Sequence, residues 1–315
     1  MTAMARPMAA AAMPMTAPAI DCAPTRCGTV ALVGKPNAGK STLFNRLVGR
    51  RLSPVTHKPQ TTRRNVRGIL TGDDFQMIFI DTPGLYRGGH GVMDRVLNRN
   101  ARNALSEVDL VALVTPALRW SRGDEAVFGL ARESGRAVVL VLSKVDLVKE
   151  KGRLLPVMKE FSEQRGCARI VPVSALTGEG VARLTAELAE SLPEAGFLFP
   201  RDCDSDRGPG FTACELIRGK VMEVLHQELP YNTHVALRSF EDGPSLLRIA
   251  AVLMVGKPGQ RGIVIGAGGA RLKQIGTLAR LELERVFDKR VFLKLSVEVR
   301  PHWQRDPAIL REYLG

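Results

Sequence analysis

Short apolar runs alternate with longer amphipathic stretches through the first 195 residues. The runs at 29–33, 75–80 (FQMIFI), 109–114 (DLVALV), 137–142 (AVVLVL) and 169–173 (RIVPV) are too short for helices and predict strands. Stretches such as 40–48, 92–105 and 179–191 repeat their apolar positions at helical spacing. Strands that are apolar on both faces, separated by helices, predict an α/β unit with a largely parallel sheet covered on both sides. Ligands of such sheets bind at the carboxyl ends of the strands.

The pattern breaks at 193–210, PEAGFLFPRDCDSDRGPG, where Pro, Gly and Asp cluster. A smaller unit follows, with helix 211–229, strands 233–240 and 245–255, helices 258–265 and 269–287, and strand 291–299. In that last strand Val291, Leu293, Leu295, Val297 and Val299 alternate with positions that include Lys294, Glu298 and Arg300, the mark of a half-buried strand. The expected division is an N-terminal extension 1–27, a first domain 28–195, a linker 196–210, a second domain 211–302 and a tail 303–315. No internal repeat is visible.

Composition changes this picture in one respect. Hydrophobic content of 45% and charged content of 24% are ordinary, but the net charge of +13 points to a polyanionic partner. Nucleic acid is the first candidate and an anionic membrane surface the second. Five scattered cysteines without a CxxC pair indicate neither a zinc site nor a disulfide framework, so a cytoplasmic chain with reduced thiols is expected. No apolar run is long enough to span a bilayer. The Ala-, Met- and Pro-rich first 27 residues lack the serines of a transit peptide and are expected to be a floppy extension or the result of a start codon placed too early.

The segment GKPNAGKS at 34–41 fits GxxxxGKS, after a strand and before a helix. Its glycines let backbone N–H groups fold round phosphates at the positive end of the helix dipole. Lys40 is expected to reach the β- and γ-phosphates and Ser41 to bind Mg²⁺. A glycine-rich turn with a chance lysine is the bland alternative, and the pattern alone does not distinguish ATP from GTP. DTPG at 81–84 ends an apolar strand, where Asp81 can reach the Mg²⁺ shell and Gly84 can face the γ-phosphate. SKVD at 143–146 offers Asp146 as acceptor for guanine N1–H and amino group, a donor pair adenine lacks. SAL at 174–176 offers backbone N–H groups to guanine O6. In PQTTRR at 59–64, Thr62 can complete the Mg²⁺ shell. Each could be a turn by accident, but the order of all five selects GTP. The expected nucleotide contacts are Gly34, Lys35, Pro36, Asn37, Ala38, Gly39, Lys40 and Ser41, then Asp81, Thr82, Pro83, Gly84 and Leu85. They continue with Ser143, Lys144, Val145 and Asp146, and with Ser174, Ala175 and Leu176. Catalysis is assigned to Lys40, Thr62 and Gly84, and the metal to Ser41, Thr62 and Asp81.

In the second unit, GAGG at 266–269 between two helices matches the GxxG clamp of a KH domain, which grips the sugar-phosphate backbone. An isolated GxxG is more often a helix–helix turn; the surrounding αββααβ order favours the clamp. Aromatic content of 5% argues against a base-stacking platform. Gly266, Ala267, Gly268 and Gly269, with Arg261, Arg271 and Lys273, are the expected RNA contacts.

With these motifs, and with ELPYNTHVAL and GIVIGAGGARLKQIG, the chain resembles the Era family of GTPases over roughly residues 28 to 312. The resemblance implies a Ras-like P-loop GTPase domain followed by a type II KH domain. It also implies hydrolysis of GTP to GDP, and an assembly role on the 30S subunit through the 3′ end of 16S rRNA, including rRNA processing. A monomer in the cytoplasm is expected, with the inner membrane as the alternative surface.

Four positions depart from or sharpen the family pattern. Leu85 replaces the glutamine that orients water in Ras-like enzymes. Asn37 is similar to the asparagine with which related GTPases hold K⁺ between phosphates, and shaping the loop is the equal alternative. Ser143 stands where the family has asparagine; one lost hydrogen bond there costs about 0.5–1.5 kcal/mol, so Asp146 should still select guanine. Ala267 stands where the family usually has lysine, which predicts fewer ionic contacts to RNA.

From Lys35 to Arg67 the chain has nine Lys or Arg and no acid, whereas 201–315 carries 18 basic and 14 acidic residues. The run outside the phosphate loop, Arg50, Arg51, Lys58, Arg63, Arg64 and Arg67, is expected to be a solvated face or a second surface for rRNA. Two rival classes stand beside the main reading: an RNA-binding protein whose nucleotide is a regulatory ligand, and a peripheral membrane GTPase.

Overall fold

The computed structural model describes residues 25–58, 61–62, 65–84, 103–301 and 303. The extension 1–24, Pro59, Gln60, Arg63, Arg64, Leu85, most of the helix expected over 92–105 and the tail from 304 lie outside the described residues.

Strands β1 (Arg26–Val33), β2 (Val66–Thr71), β3 (Phe75–Asp81), β4 (Leu110–Pro116), β5 (Ala137–Ser143) and β6 (Arg169–Pro172) form one sheet in the order β2-β3-β1-β4-β5-β6. All neighbours are parallel except β2, which runs antiparallel to β3. Successive residues of β1 serve opposite faces. Val30 and Leu32 pack with Leu43, Phe44 and Leu47 of helix α1 (Lys40–Val48) and with Leu184 and Leu188 of α4 (Val181–Glu190). Ala31 and Val33 pack with Val127 and Phe128 of α2 (Arg122–Glu133) and Phe161 of α3 (Leu154–Arg165). A sheet covered on both faces explains the largely apolar runs, because a polar side chain on either face must find a partner inside the protein, as Gln76 and Thr115 do.

Strand β2 escapes the sequence pattern. Gly68 interrupts its run, and a Cβ there would sit 2.7 Å from both Phe44 and Val48. The strand's outer edge is covered by the segment before the second unit. Ile69 N donates to Asp204 O at 2.9 Å, and buried Gln76 accepts from Leu198 N and Phe199 N, each at 2.9 Å. Covering an edge in this way removes an open pairing surface.

The second sheet has the order β7-β8-β9, from β7 (Thr233–Asp242), β8 (Leu246–Val255) and β9 (Arg290–Val299). Strands β7 and β8 are antiparallel, β8 and β9 parallel. Helices α5 (Pro209–Val224), α6 (Pro258–Ile265) and α7 (Ala270–Phe287) cover one face, with Leu216, Ile217, Leu253, Ile275 and Leu283 in their core. The helix expected over 211–229 is shorter at its end. Leu225 turns to extended backbone, Gln227 takes positive φ, and a 3-10 turn fills Pro230–Asn232. Pro230 has no N–H to continue a helix.

Candidate GTP and RNA sites

The first site begins where β1 ends between β3 and β4. Residues 34–39 turn there into α1, and the Lys40 side chain folds back into the turn. Its ammonium donates to Gly34 O at 3.1 Å and to Lys35 O at 2.9 Å. Burial pushes the Lys40 pKa down to about 8, against the opposing pull of the Asp81 charge. Lys35 behaves differently. Its ammonium leaves the loop for Asp124 Oδ2 at 2.6 Å and Ser121 Oγ at 2.7 Å. Asp124 is buried, caps α2, and accepts from Thr115 Oγ1 at 3.0 Å. The Lys35 side chain therefore braces the loop, and only its main chain is left for phosphate.

Three oxygen-bearing side chains from three segments converge beside Lys40. Ser41 Oγ and Thr62 Oγ1 are 2.8 Å apart, and Thr62 donates to Asp81 Oδ2 at 3.3 Å. Asp81 is fully buried, which pushes its pKa up, while Lys40 and the Ser53, Ser41 and Thr62 hydroxyls pull it back. Its other oxygen, Oδ1, is buried and has no hydrogen-bond partner among the described residues. A buried carboxylate oxygen left unpaired needs a cation or ordered water. Hard oxygen donors of this kind fit Mg²⁺.

Ser53 is a participant that sequence reasoning missed. It donates to Asp81 Oδ2 at 2.7 Å. Asn45 of α1 holds it there, accepting from Leu52 N and Ser53 N and donating to Ser53 O at 2.7 Å. Nothing in the local sequence signals a bond between residues 53 and 81.

The 81–84 turn closes on the phosphate loop. Thr82 donates to Leu32 O at 2.8 Å, and Pro83 is buried. A Cβ on Gly84 would stand 2.7 Å from Pro36 N, so only glycine permits this approach. Asn37 donates to His57 O at 3.1 Å, which ties the phosphate loop to the 54–58 segment. Asn37, Lys40, Ser41, Thr56, Thr62 and Gly84 are among the residues lining a cleft of about 60 Å³.

At the base end, Ser143 does more than its length promised. Its hydroxyl lies 2.6 Å from Ala38 O and 3.1 Å from Thr115 O, so the hydroxyl proton can reach the phosphate loop. Lys144, in left-handed backbone, adds a bond from its ammonium to Asn37 O at 2.7 Å. Asp146 is exposed in the turn that follows. The turn is tied to the 174–179 loop: Val145 N donates to Val173 O at 3.2 Å, and Lys151 bridges Val145 O and Glu179. Ser174 is buried and accepts from Thr177 N at 3.1 Å, while Leu176 is 77% exposed. The Ser143–Asp146 and Ser174–Leu176 segments are thus neighbours, as a shared base requires.

The second site lies between α6 and α7. Gly266, Gly268 and Gly269 have positive φ, and Ala267, Gly268, Arg261 and Lys273 are exposed. Arg271 donates to Ile263 O at 2.5 Å, so it closes the end of α6 as well as adding charge.

The basic run is less open than its sequence suggests. Arg50 pairs with Asp204, Arg51 with Glu282 at 2.5 Å, and Arg67 with Asp206 at 3.2 Å. Lys58 donates to Leu225 O. These four side chains are engaged by the chain itself: the linker and the second domain supply acids to the three arginines and main-chain carbonyls to Lys58.

Family models match both units of the chain. The family described as "50S ribosome-binding GTPase" matches residues 29–144, and the KH domain family matches 228–304. The GTPase Era of Stenotrophomonas maltophilia strain K279a is 45% identical over 290 residues, 92% of this chain and 97% of that protein. A crystal structure of a point variant of Aquifex aeolicus Era bound to GDP·AlF4⁻ superposes with a TM-score of 0.85 at 34% identity, covering 91% of this chain and 98% of that one. Era in complex with MgGDPNP and nucleotides 1506–1542 of 16S rRNA gives 0.84 at 34% identity, with the same coverage.

Proposed function

The chain belongs to the Era family of GTPases, and on that premise we propose that it couples GTP hydrolysis to binding of the 3′ end of 16S rRNA during 30S subunit assembly and rRNA processing. The observation that carries the reading is the convergence of Ser41, Thr62 and Asp81 beside Lys40, in a chain that also bears an exposed GAGG loop. The solved Era complex with MgGDPNP and an rRNA segment supports it.

Each residue has a role that follows from its surroundings. Lys40 supplies a cation to the β- and γ-phosphates, in a buried position that strengthens its field. Ser41, Thr62 and Asp81 Oδ1 would hold Mg²⁺, which supplies positive charge across the phosphate oxygens when bound. Gly84 would present its main chain to the γ-phosphate, at a position where a side chain would strike Pro36 of the phosphate loop. Asp146 accepts from guanine, and Ser143 and Lys144 fix that loop to the phosphate loop. Asn37, through its side-chain amide oxygen, would hold K⁺, adding charge where other GTPases use an arginine finger. The GAGG loop with Arg261 and Lys273 grips the RNA backbone. The cytoplasm is the proposed location.

Single-turnover hydrolysis with saturating Mg²⁺ tests the reading. The rate should fall when NaCl replaces KCl, change on adding a 3′-end 16S rRNA oligonucleotide, and lose its salt difference in Asn37→Ala. Equal rates in both salts would remove K⁺ from the account. Absence of RNA binding would remove the assembly role.

A further inference from the structure

The described residues before Thr62 rest on helix α5 of the second domain at three points, through Pro54, Lys58 and Thr61. A Cβ on Gly219 would come within 2.8 Å of Pro54 Cβ, so the absence of a side chain there lets the segment lie close. Lys58 donates to the carbonyls of Glu223 and Leu225, at the negative end of the α5 dipole. One residue before Gly219, Arg218 donates to the main-chain carbonyl of Thr61. Arg218 and Glu215 are 3% and 2% exposed. The Arg218 Nε lies 3.2 and 3.1 Å from the two Glu215 carboxylate oxygens, so the fork is oriented before it meets Thr61.

The neighbour of that carbonyl is what matters. Thr61 is itself fixed, with its hydroxyl 2.6 Å from Thr56 Oγ1 and 2.7 Å from Lys58 O. Anchoring the Thr61 carbonyl fixes the peptide plane that leads into Thr62, whose hydroxyl meets Ser41 and Asp81. A buried ion pair is weak evidence for stability, since matched apolar residues often serve as well. It is a better device for orientation.

We propose that Arg218, oriented by Glu215, is a positioning residue for GTP hydrolysis: from the RNA-binding domain it holds Thr61 so that Thr62 completes the metal-binding oxygen cluster. The proposal rests on the reading of Thr62 as a metal-shell residue. It places one residue of the hydrolytic apparatus outside the GTPase domain, on a helix whose Leu216, Ile217 and Val221 belong to the KH core.

The test compares the full-length wild type with Glu215→Gln/Arg218→Met and with Thr62→Ala. The double variant removes both buried charges and keeps side-chain volume. Melting temperature and rRNA affinity in the GDP-bound state monitor folding. The readouts are the Mg²⁺ concentration needed to bind a fluorescent non-hydrolysable GTP analogue, GDP affinity, and kcat against KM. The double variant should need about tenfold more Mg²⁺ for the analogue and lose about tenfold in kcat, the worth of a charged hydrogen bond. Its GDP affinity should equal wild type. A wild-type Mg²⁺ requirement in the double variant, with a raised one in Thr62→Ala, overturns the proposal. An unmoved requirement in Thr62→Ala overturns instead the reading of Thr62. If the double variant does not fold, hydrogen exchange on the wild type decides. Protection of 54–62 and of 212–222 should rise together on exchanging GDP for the analogue with Mg²⁺, and a rise in 54–62 alone overturns the proposal.

Discussion

At the scale of single residues, base choice and phosphate charge are separable. Asp146 is the sole acid of the SKVD loop and is exposed at its mouth. Asp146→Asn should lower GTP affinity at least tenfold and improve XTP binding; an unchanged GTP titration removes Asp146 from the site. Serine at 143 is short, but its hydroxyl still lies 2.6 Å from Ala38 O. Serine has one donor where asparagine has two, and Lys144 supplies a second tie to the phosphate loop. Lys40 makes a pH prediction. GTP binds its charged form, and burial lowers its pKa to about 8 in the free protein. Binding therefore takes up a proton above that pH. Affinity should be level around neutrality and fall by up to about tenfold per pH unit beyond pH 8. A level profile to about pH 9 would mean that Lys40 stays charged without phosphate.

At the scale of elements, what the sequence makes legible depends on how local the cause is. Strands β1, β4 and β5 are dry on both faces and announce themselves as apolar runs. The GAGG loop is equally legible, because its helices flank it directly. Strand β2 is not: Gly68 and Arg67 break its pattern, and its place is set by packing on α1 and pairing with β3. Ser53 and Arg218 are illegible for the same reason, since their partners lie 28 and 157 residues away. A Glu-x-x-Arg spacing on a helix reads as an exposed pair, and only the fold buries it. The GAGG loop carries its own prediction. Gly268 has φ +56 and open space around its Cβ position, a conformation aspartate tolerates, so Gly268→Asp should fold. The added carboxylate should weaken rRNA binding across a salt series and leave GTP affinity unchanged. Ala267→Lys should tighten it and steepen the log–log salt slope by about 0.7. Wild-type RNA affinity in Gly268→Asp would reduce the loop to a helix–helix turn.

At the scale of the whole molecule, the positive charge is partly internal. Arg50, Arg51, Lys58 and Arg67 join the GTPase domain to the linker and KH domain. The same junction holds the Thr62 segment, so the state of the nucleotide and the setting of the RNA clamp share one contact surface. The measurement that tests this most directly is the affinity of the wild-type chain for a 3′-end 16S rRNA oligonucleotide, in Mg²⁺ with a non-hydrolysable GTP analogue and then with GDP. The account predicts tighter binding with the analogue, and loss of that difference when Thr62 is replaced by alanine. Equal affinity in the two nucleotide states would contradict it, leaving two independent binding domains on one chain.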